Sequence, residues 1–151
     1  NVCPTLYGFI PQTYCGERVG ALCSERTGRQ RIVGDGDPMD ICVLSERAVT
    51  HGDILLQAVP VGGLRMIDGD QADDKIVAVL AGDAAFGSLR ELAEVPAALL
   101  GRLRHYFLTY KLDPDTAESR VVEIAGTYGR AEAHEAIRRS RDDYRALFPD
   151  S

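Results

Sequence analysis

Two short runs of this chain concentrate carboxylates at spacings that can do chemistry. The first, GDGDPMD, supplies Asp35, Asp37 and Asp40. In extended backbone Asp35 and Asp37 project from the same face, while Pro38 fixes the chain direction and lets Asp40 approach from another angle. The second, DGDQADDK, supplies Asp68, Asp70, Asp73, Asp74 and Lys75. Asp73 and Lys75 share a face if a strand has begun there. Carboxylates this dense repel one another, and a divalent cation is the natural compensating charge. Magnesium takes hard oxygen ligands and tends to keep waters, so it suits a few carboxylates together with a phosphate substrate. Either run alone also fits a solvated acidic turn. Apolar strand-like segments flank both, which places the carboxylates at the rim of a core.

A calcium loop does not fit. Asp35 through Glu46 has aspartates at loop positions one and three and a glutamate at twelve, but position five is Met39 and position six is Asp40, where the loop needs glycine. Lys111, beside Tyr110 at the end of a helical pattern, is the other group suited to a phosphate. Tyr110 also continues an apolar stripe, and a tyrosine with a buried ring and a hydroxyl at a cleft satisfies both roles. Taken alone, Lys75 reads as a surface lysine. The cysteines Cys3, Cys15, Cys23 and Cys42 form no C-x-x-C pair, which argues against structural zinc and for free thiols in a reducing cytoplasm.

These groups must be held by a fold, and the bulk properties bound it. The chain has 151 residues, 45% hydrophobic and 26% charged, with a net charge of −6. That fits one soluble globular domain. The acidic balance shows no basic face for nucleic acid. The longest apolar runs, such as 76–81, are too short to span a bilayer. Ile41 to Leu44 and Lys75 to Leu80 read as strands, as does Val121 to Ala125. Residues 53–68 hold two apolar runs broken by Pro60 and the Gly62–Gly63 pair, which suggests a bulge or sharp bend. The stretch 68–74 reads as a turn. From Pro96 to Leu112, Leu99, Leu100, Leu103, Tyr106, Phe107 and Tyr110 mark one helical face, and Ala133, Ile137, Tyr144 and Phe148 mark a second between Arg130 and Phe148. Residues 15–34 read as a long basic excursion, part loop with at most a short helical turn. Strands first and helices late argue for an α+β fold: an antiparallel, barrel-like β core with two packed C-terminal helices.

The segments LYGFIPQT, GDGDPMDICVL, VGGLRMIDGDQADDKIVAV and HYFLTYK, in this order, resemble the signature segments of the soluble family I inorganic pyrophosphatases. The resemblance covers nearly the whole chain apart from 15–34. It implies an OB-type β-barrel, closed or partly open, formed by a single domain over 1–151 with an insertion at about 15–34. It implies magnesium-dependent hydrolysis of pyrophosphate to two orthophosphates by a metal-activated water, with several ions per site. Asp35, Asp40, Asp68 and Asp73 would hold metal, Asp37 would act on the attacking water, and Tyr7, Lys75, Tyr110 and Lys111 would bind phosphate oxygens. A cytoplasmic homo-oligomer, with neither nucleic acid nor membrane as partner, is the accompanying expectation.

The family pattern also carries acidic residues, a lysine and an arginine upstream of the tyrosine segment. This chain starts at Asn1, a few residues before Tyr7. The expectation is that the natural protein extends further and that 1–151 alone hydrolyses pyrophosphate poorly. The excursion is expected at a subunit interface or beside the site entrance, without zinc. The rival to an active enzyme is an impaired relative serving as a binding or assembly protein, against which the intact acidic set speaks.

Overall fold

The structure is a computed structural model that describes residues 2–47, 49, 52, 54–110 and 121–150. Over these residues it is a mixed α+β fold with a seven-stranded sheet and three α-helices. The elements are β1 (Leu6–Phe9), α1 (Glu17–Thr27), β2 (Val33–Gly34), β3 (Asp40–Leu44), β4 (Ala58–Asp68), β5 (Gln71–Ala72), β6 (Lys75–Leu80), α2 (Ala97–Thr109), β7 (Val122–Gly129) and α3 (Arg130–Leu147).

β6 is the central strand because its sequence, KIVAVL, is β-branched and apolar on both faces. It runs parallel to β3 and antiparallel to β4, so the core is mixed and not wholly antiparallel as expected. The paired strands run β1-β3-β6-β4-β5-β2, with β7 on β4. Among the described residues this path does not return on itself, so a closed barrel is not formed by these strands.

Pro60 and the two glycines do what their types allow. Residues 58–68 form one long strand, and its register with β6 shifts between Pro60 and Gly62. A Cβ on Gly62 would lie 2.3 Å from the Tyr128 carbonyl oxygen, and one on Gly63 would lie 2.5 Å from the Tyr128 ring. Glycine therefore lets β7 close onto β4 here. The expected interruption is a bulge within one strand, because the ladder resumes on the far side of Pro60.

Side chains alternate across the sheet and feed two apolar layers. Ile67 and Ile76 face the layer shared with α1 and α3; Met66 and Val77 face the one shared with α2. α2 begins after Pro96 and buries Leu103 and Phe107, as its spacing predicts. α3 spans the expected residues, but its buried stripe is Ala133, Ala136, Ser140 and Asp143. Small residues there let the helix approach the sheet closely. Phe148, predicted in that stripe, is exposed.

Residues 15–34 depart furthest from expectation. They hold a three-turn helix, α1, which ends at Gly28 in the left-handed region (φ 72°) as helix C-termini favour. Val19, Leu22 and Cys23 bury its inner face. Helices therefore do not all come late. α1 has no capping side chain of its own; the Asp143 carboxylate of α3 accepts the Gly16, Arg18 and Val19 N–H groups instead, at 2.9, 3.0 and 3.1 Å.

Candidate active site

The two acidic runs meet in one cleft of about 280 Å³, lined by Tyr7, Asp35, Asp37, Asp40, Asp68, Gln71, Asp73, Lys75 and Tyr110. The lining groups arrive on several elements. β1 brings Tyr7, the turn between β2 and β3 brings Asp35 and Asp37, and β3 opens with Asp40. β4 ends on Asp68, β6 opens with Lys75, and Tyr110 caps α2. The parallel pairing of β3 with β6 sets Asp40 directly against Lys75. Gly36, at φ 78°, allows the tight turn between the first two aspartates.

Lys75 is the hub. Its side chain is 2% exposed, and its ammonium lies 2.7 Å from Asp40 Oδ2 and 2.8 Å from Asp73 Oδ1. It also donates to the Tyr7 hydroxyl at 3.3 Å, and the Phe107 ring lies 5.3 Å away. Burial disfavours this charge, but Asp73 and Asp40 outweigh that effect and hold the lysine firmly protonated. Burial also pushes the Tyr7 hydroxyl up, so Tyr7 is neutral and able to donate. Asp35 is pushed up to about 7, first by burial and then by the Asp73 and Asp37 charges, although the Asp37 N–H donates to Asp35 Oδ1 at 3.0 Å. A carboxylate in that state gains from a nearby cation.

Eight of the nine residues singled out from the sequence line the cleft; Lys111 lies outside the described residues. Gln71 was missed. Its signal was present: in extended backbone residues 71, 73 and 75 share one face. By the same alternation Asp74 turns the other way, into the core. There the Tyr128 hydroxyl donates to it at 2.7 Å and Arg65 lies 3.8 Å away. Burial pushes Asp74 up to about 6 against the pull of Arg65. Arg65 stacks on the Tyr128 ring, 4.5 Å from its centre, and pairs with Glu132. This second polar cluster lies behind the segment that carries Asp73 and Lys75. A groove of about 430 Å³ between Val2, Pro4 and α2 presents no acidic group.

An acid cleft around a buried lysine, with a neutral tyrosine at its wall, has the donor set of a site for hard cations and, through them, for an anion of phosphate type. Comparison with known proteins agrees. The sequence model described as Inorganic pyrophosphatase matches residues 1–145. The inorganic pyrophosphatase of Chlamydia trachomatis serovar L2 is 48% identical over 151 aligned residues, covering 98% of this chain and 72% of the relative. That of Picrophilus torridus is 30% identical over 146, covering 97% and 70%. Among solved structures, the inorganic pyrophosphatase of Thermus thermophilus superposes with a TM-score of 0.73 at 29% identity, covering 94% of this chain and 70% of that one. The chain belongs to the soluble family I inorganic pyrophosphatases, and is a hydrolase.

Proposed function

We propose that this protein hydrolyses inorganic pyrophosphate to two orthophosphates in a magnesium-dependent reaction carried out in the acidic cleft. The observation that carries this reading is the convergence of five aspartates around Lys75 in a chain of this family. The donor set supports a hard cation: the lining oxygens come from carboxylates, an amide and two phenols, with neither thiol nor imidazole among them. Among the described residues no three acidic, imidazole or thiol groups form a ready-made cage. Magnesium keeps several waters and shares its shell with a phosphate, so a few carboxylates suffice for it. Asp35, Asp40, Asp68 and Asp73 are the residues to hold it. Bound magnesium supplies charge neutralisation on the phosphate oxygens and a lowered pKa for the attacking water.

The remaining work falls to the protein's own groups. Asp37, on the turn that lines the cleft, accepts the proton of the attacking water. Lys75 and the hydroxyls of Tyr7 and Tyr110 bind phosphate oxygens and stabilise charge on the departing phosphate; Lys111 has the same proposed role. Water adds to one phosphorus, the bridging P–O bond breaks, and the second phosphate leaves with the electron pair. We read the bent sheet as a partly open OB-type barrel within one domain over 1–151, in which the segment at about 15–34 is an insertion. No described helix is long and apolar enough to cross a membrane, and the four cysteines are free, which suits a reducing compartment such as the cytoplasm. Assembly as a homo-oligomer accompanies this reading.

The test is phosphate release from pyrophosphate with and without magnesium, for the protein and for Asp37→Asn. Turnover should require the ion, and the variant should lose roughly 10²-fold or more while still binding it. Near-normal turnover in Asp37→Asn would remove the role given to that carboxylate. Magnesium-independent turnover would remove the cation from the mechanism.

A further inference from the structure

We propose that Asp143, on α3 and outside the cleft, is a positioning residue that sets the acidic turn carrying Asp35 and Asp37. The inference rests on the reading of that turn as catalytic and goes beyond it. Asp143 is 4% exposed, a buried carboxylate within a helix. Isolated, such a charge is strongly disfavoured; here it collects four donors. The Gly16 and Val19 N–H groups donate to Oδ2, and the Arg18 N–H and guanidinium to Oδ1, at 2.9 to 3.2 Å. The backbone donors among them are orphans at the start of α1, and the anion also suits the positive end of that helix.

The consequence lies one residue upstream. The Cys15 N–H donates to the Asp37 carbonyl at 2.8 Å, and the Cys15 carbonyl accepts the Gly36 N–H at 2.9 Å. One residue's peptide groups thus bracket the acidic turn from both sides. Gly34 presses against the same segment: a Cβ there would fall 2.1 Å from the Cys15 carbonyl oxygen. A second tie, from the Tyr14 N–H to the Ser140 carbonyl at 2.9 Å, joins the segment to α3 about one helical turn before Asp143. The turn itself is short and partly exposed. Its ends are tied by the Val33 N–H to the Asp70 carbonyl at 3.0 Å and by the Met39 N–H to Thr13 Oγ1 at 2.9 Å; between them, its position is set from α3 through the Asp143 cap and the Cys15 backbone. By this route the segment at 15–34 connects the far helix to the site.

The experiment compares Asp143→Ala with Asp83→Ala. Asp83 is a fitting control because its carboxylate also accepts four donors, from Ser45, Glu46, Ala85 and Phe86, on a loop away from the cleft. In metal-free protein, amide exchange at Cys15 and Gly36 should accelerate on the order of tenfold in Asp143→Ala, reporting local opening, and stay unchanged in Asp83→Ala. Well below melting, kcat should fall about tenfold in Asp143→Ala with KM little changed, as displaced catalytic groups require. In the Asp37→Asn background the same change should have little further effect on kcat, because linked residues are not additive. Identical behaviour of the two alanine variants overturns the proposal, as does full additivity with Asp37→Asn. If Asp143→Ala does not fold, Asp143→Asn keeps the shape and one acceptor oxygen; it should show the same pattern with smaller shifts, and wild-type exchange and kcat there overturn the proposal equally. Near-normal turnover in Asp37→Asn would count against the catalytic reading alone, since the exchange data decide the positioning by themselves.

Discussion

Lys75 carries the largest electrostatic burden of any single residue in the cleft. Without bound cations it is the charge that keeps Asp40 and Asp73 together, at 2.7 and 2.8 Å. Removing one partner of a buried ion pair leaves the other uncompensated, which typically costs about 3 kcal/mol or more. Lys75→Met should therefore lower the stability of the metal-free protein by about that much, measured by denaturant unfolding, and magnesium should restore part of it. Unchanged metal-free stability would mean that the aspartates are solvated well enough without the lysine. The buried thiols make a separate prediction. Burial, helped by Asp74, pushes Cys23 up to about 11 from an ordinary value of 9.0. Between these values the unfolded chain releases a proton that the folded chain keeps, so the stability this thiol contributes is present below pH 9 and lost as pH rises towards 11. Cys23→Ala should show a shallower fall in stability across that window, read from unfolding curves at stepped pH. An equal slope in both proteins would place the titration elsewhere.

At the scale of elements, β4 is the strand on which the site depends, since it pairs with β6 and ends on Asp68. Its pairing with β7 relies on the missing side chains of Gly62 and Gly63. Gly62→Ala drives a methyl into the Tyr128 backbone carbonyl, at 2.3 Å before relaxation. Forced overpacking of this kind costs about 1–3 kcal/mol. Gly8→Ala, where an added Cβ meets nothing within 4 Å, should be nearly neutral. Parallel chemical denaturation of the two variants checks this. Equal stability would show that β7 can shift away at little cost. The contrast also explains why a Pro and two glycines inside a strand do not end it: they mark where two neighbours crowd one strand.

For the whole molecule, metal binding in the cleft, as proposed, would be linked to folding. An ion that binds only the folded state stabilises it by about 2.7 kcal/mol at a hundred times its dissociation constant. Melting temperature should rise with magnesium in the unaltered protein. Asp40→Ala and Asp73→Ala should need more magnesium for the same rise, measured by thermal shift at stepped concentrations. Because each removes a carboxylate from a crowded cleft, neither is expected to be as destabilising without metal as Lys75→Met. Identical magnesium dependence in all three proteins would reject these two residues as ligands.

Local facts were legible in the order of residues. Period-two alternation placed Asp73 with Lys75, apolar spacing marked where α2 and α3 run, and Pro60 with its glycines announced a bulge or sharp bend. The order of the four signature segments was enough to identify the family. All but the last of these depend on neighbours within a few residues. Other features depend on contacts between distant parts of the chain and became visible in the folded molecule alone. The parallel pairing of β3 with β6 is one; it sets Asp40 against Lys75 and turns an ordinary lysine into a buried hub. The helix in 15–34 is another. Gly20, Cys23, Ser24 and Thr27 have weak helical preference, and its N-terminus is satisfied by a carboxylate more than a hundred residues away. The stripe on α3 misled for the same reason: a buried aspartate looks like a surface residue until its donors are known. Burial of charge is a property of partners, and partners that meet across the fold leave no periodic mark in the sequence.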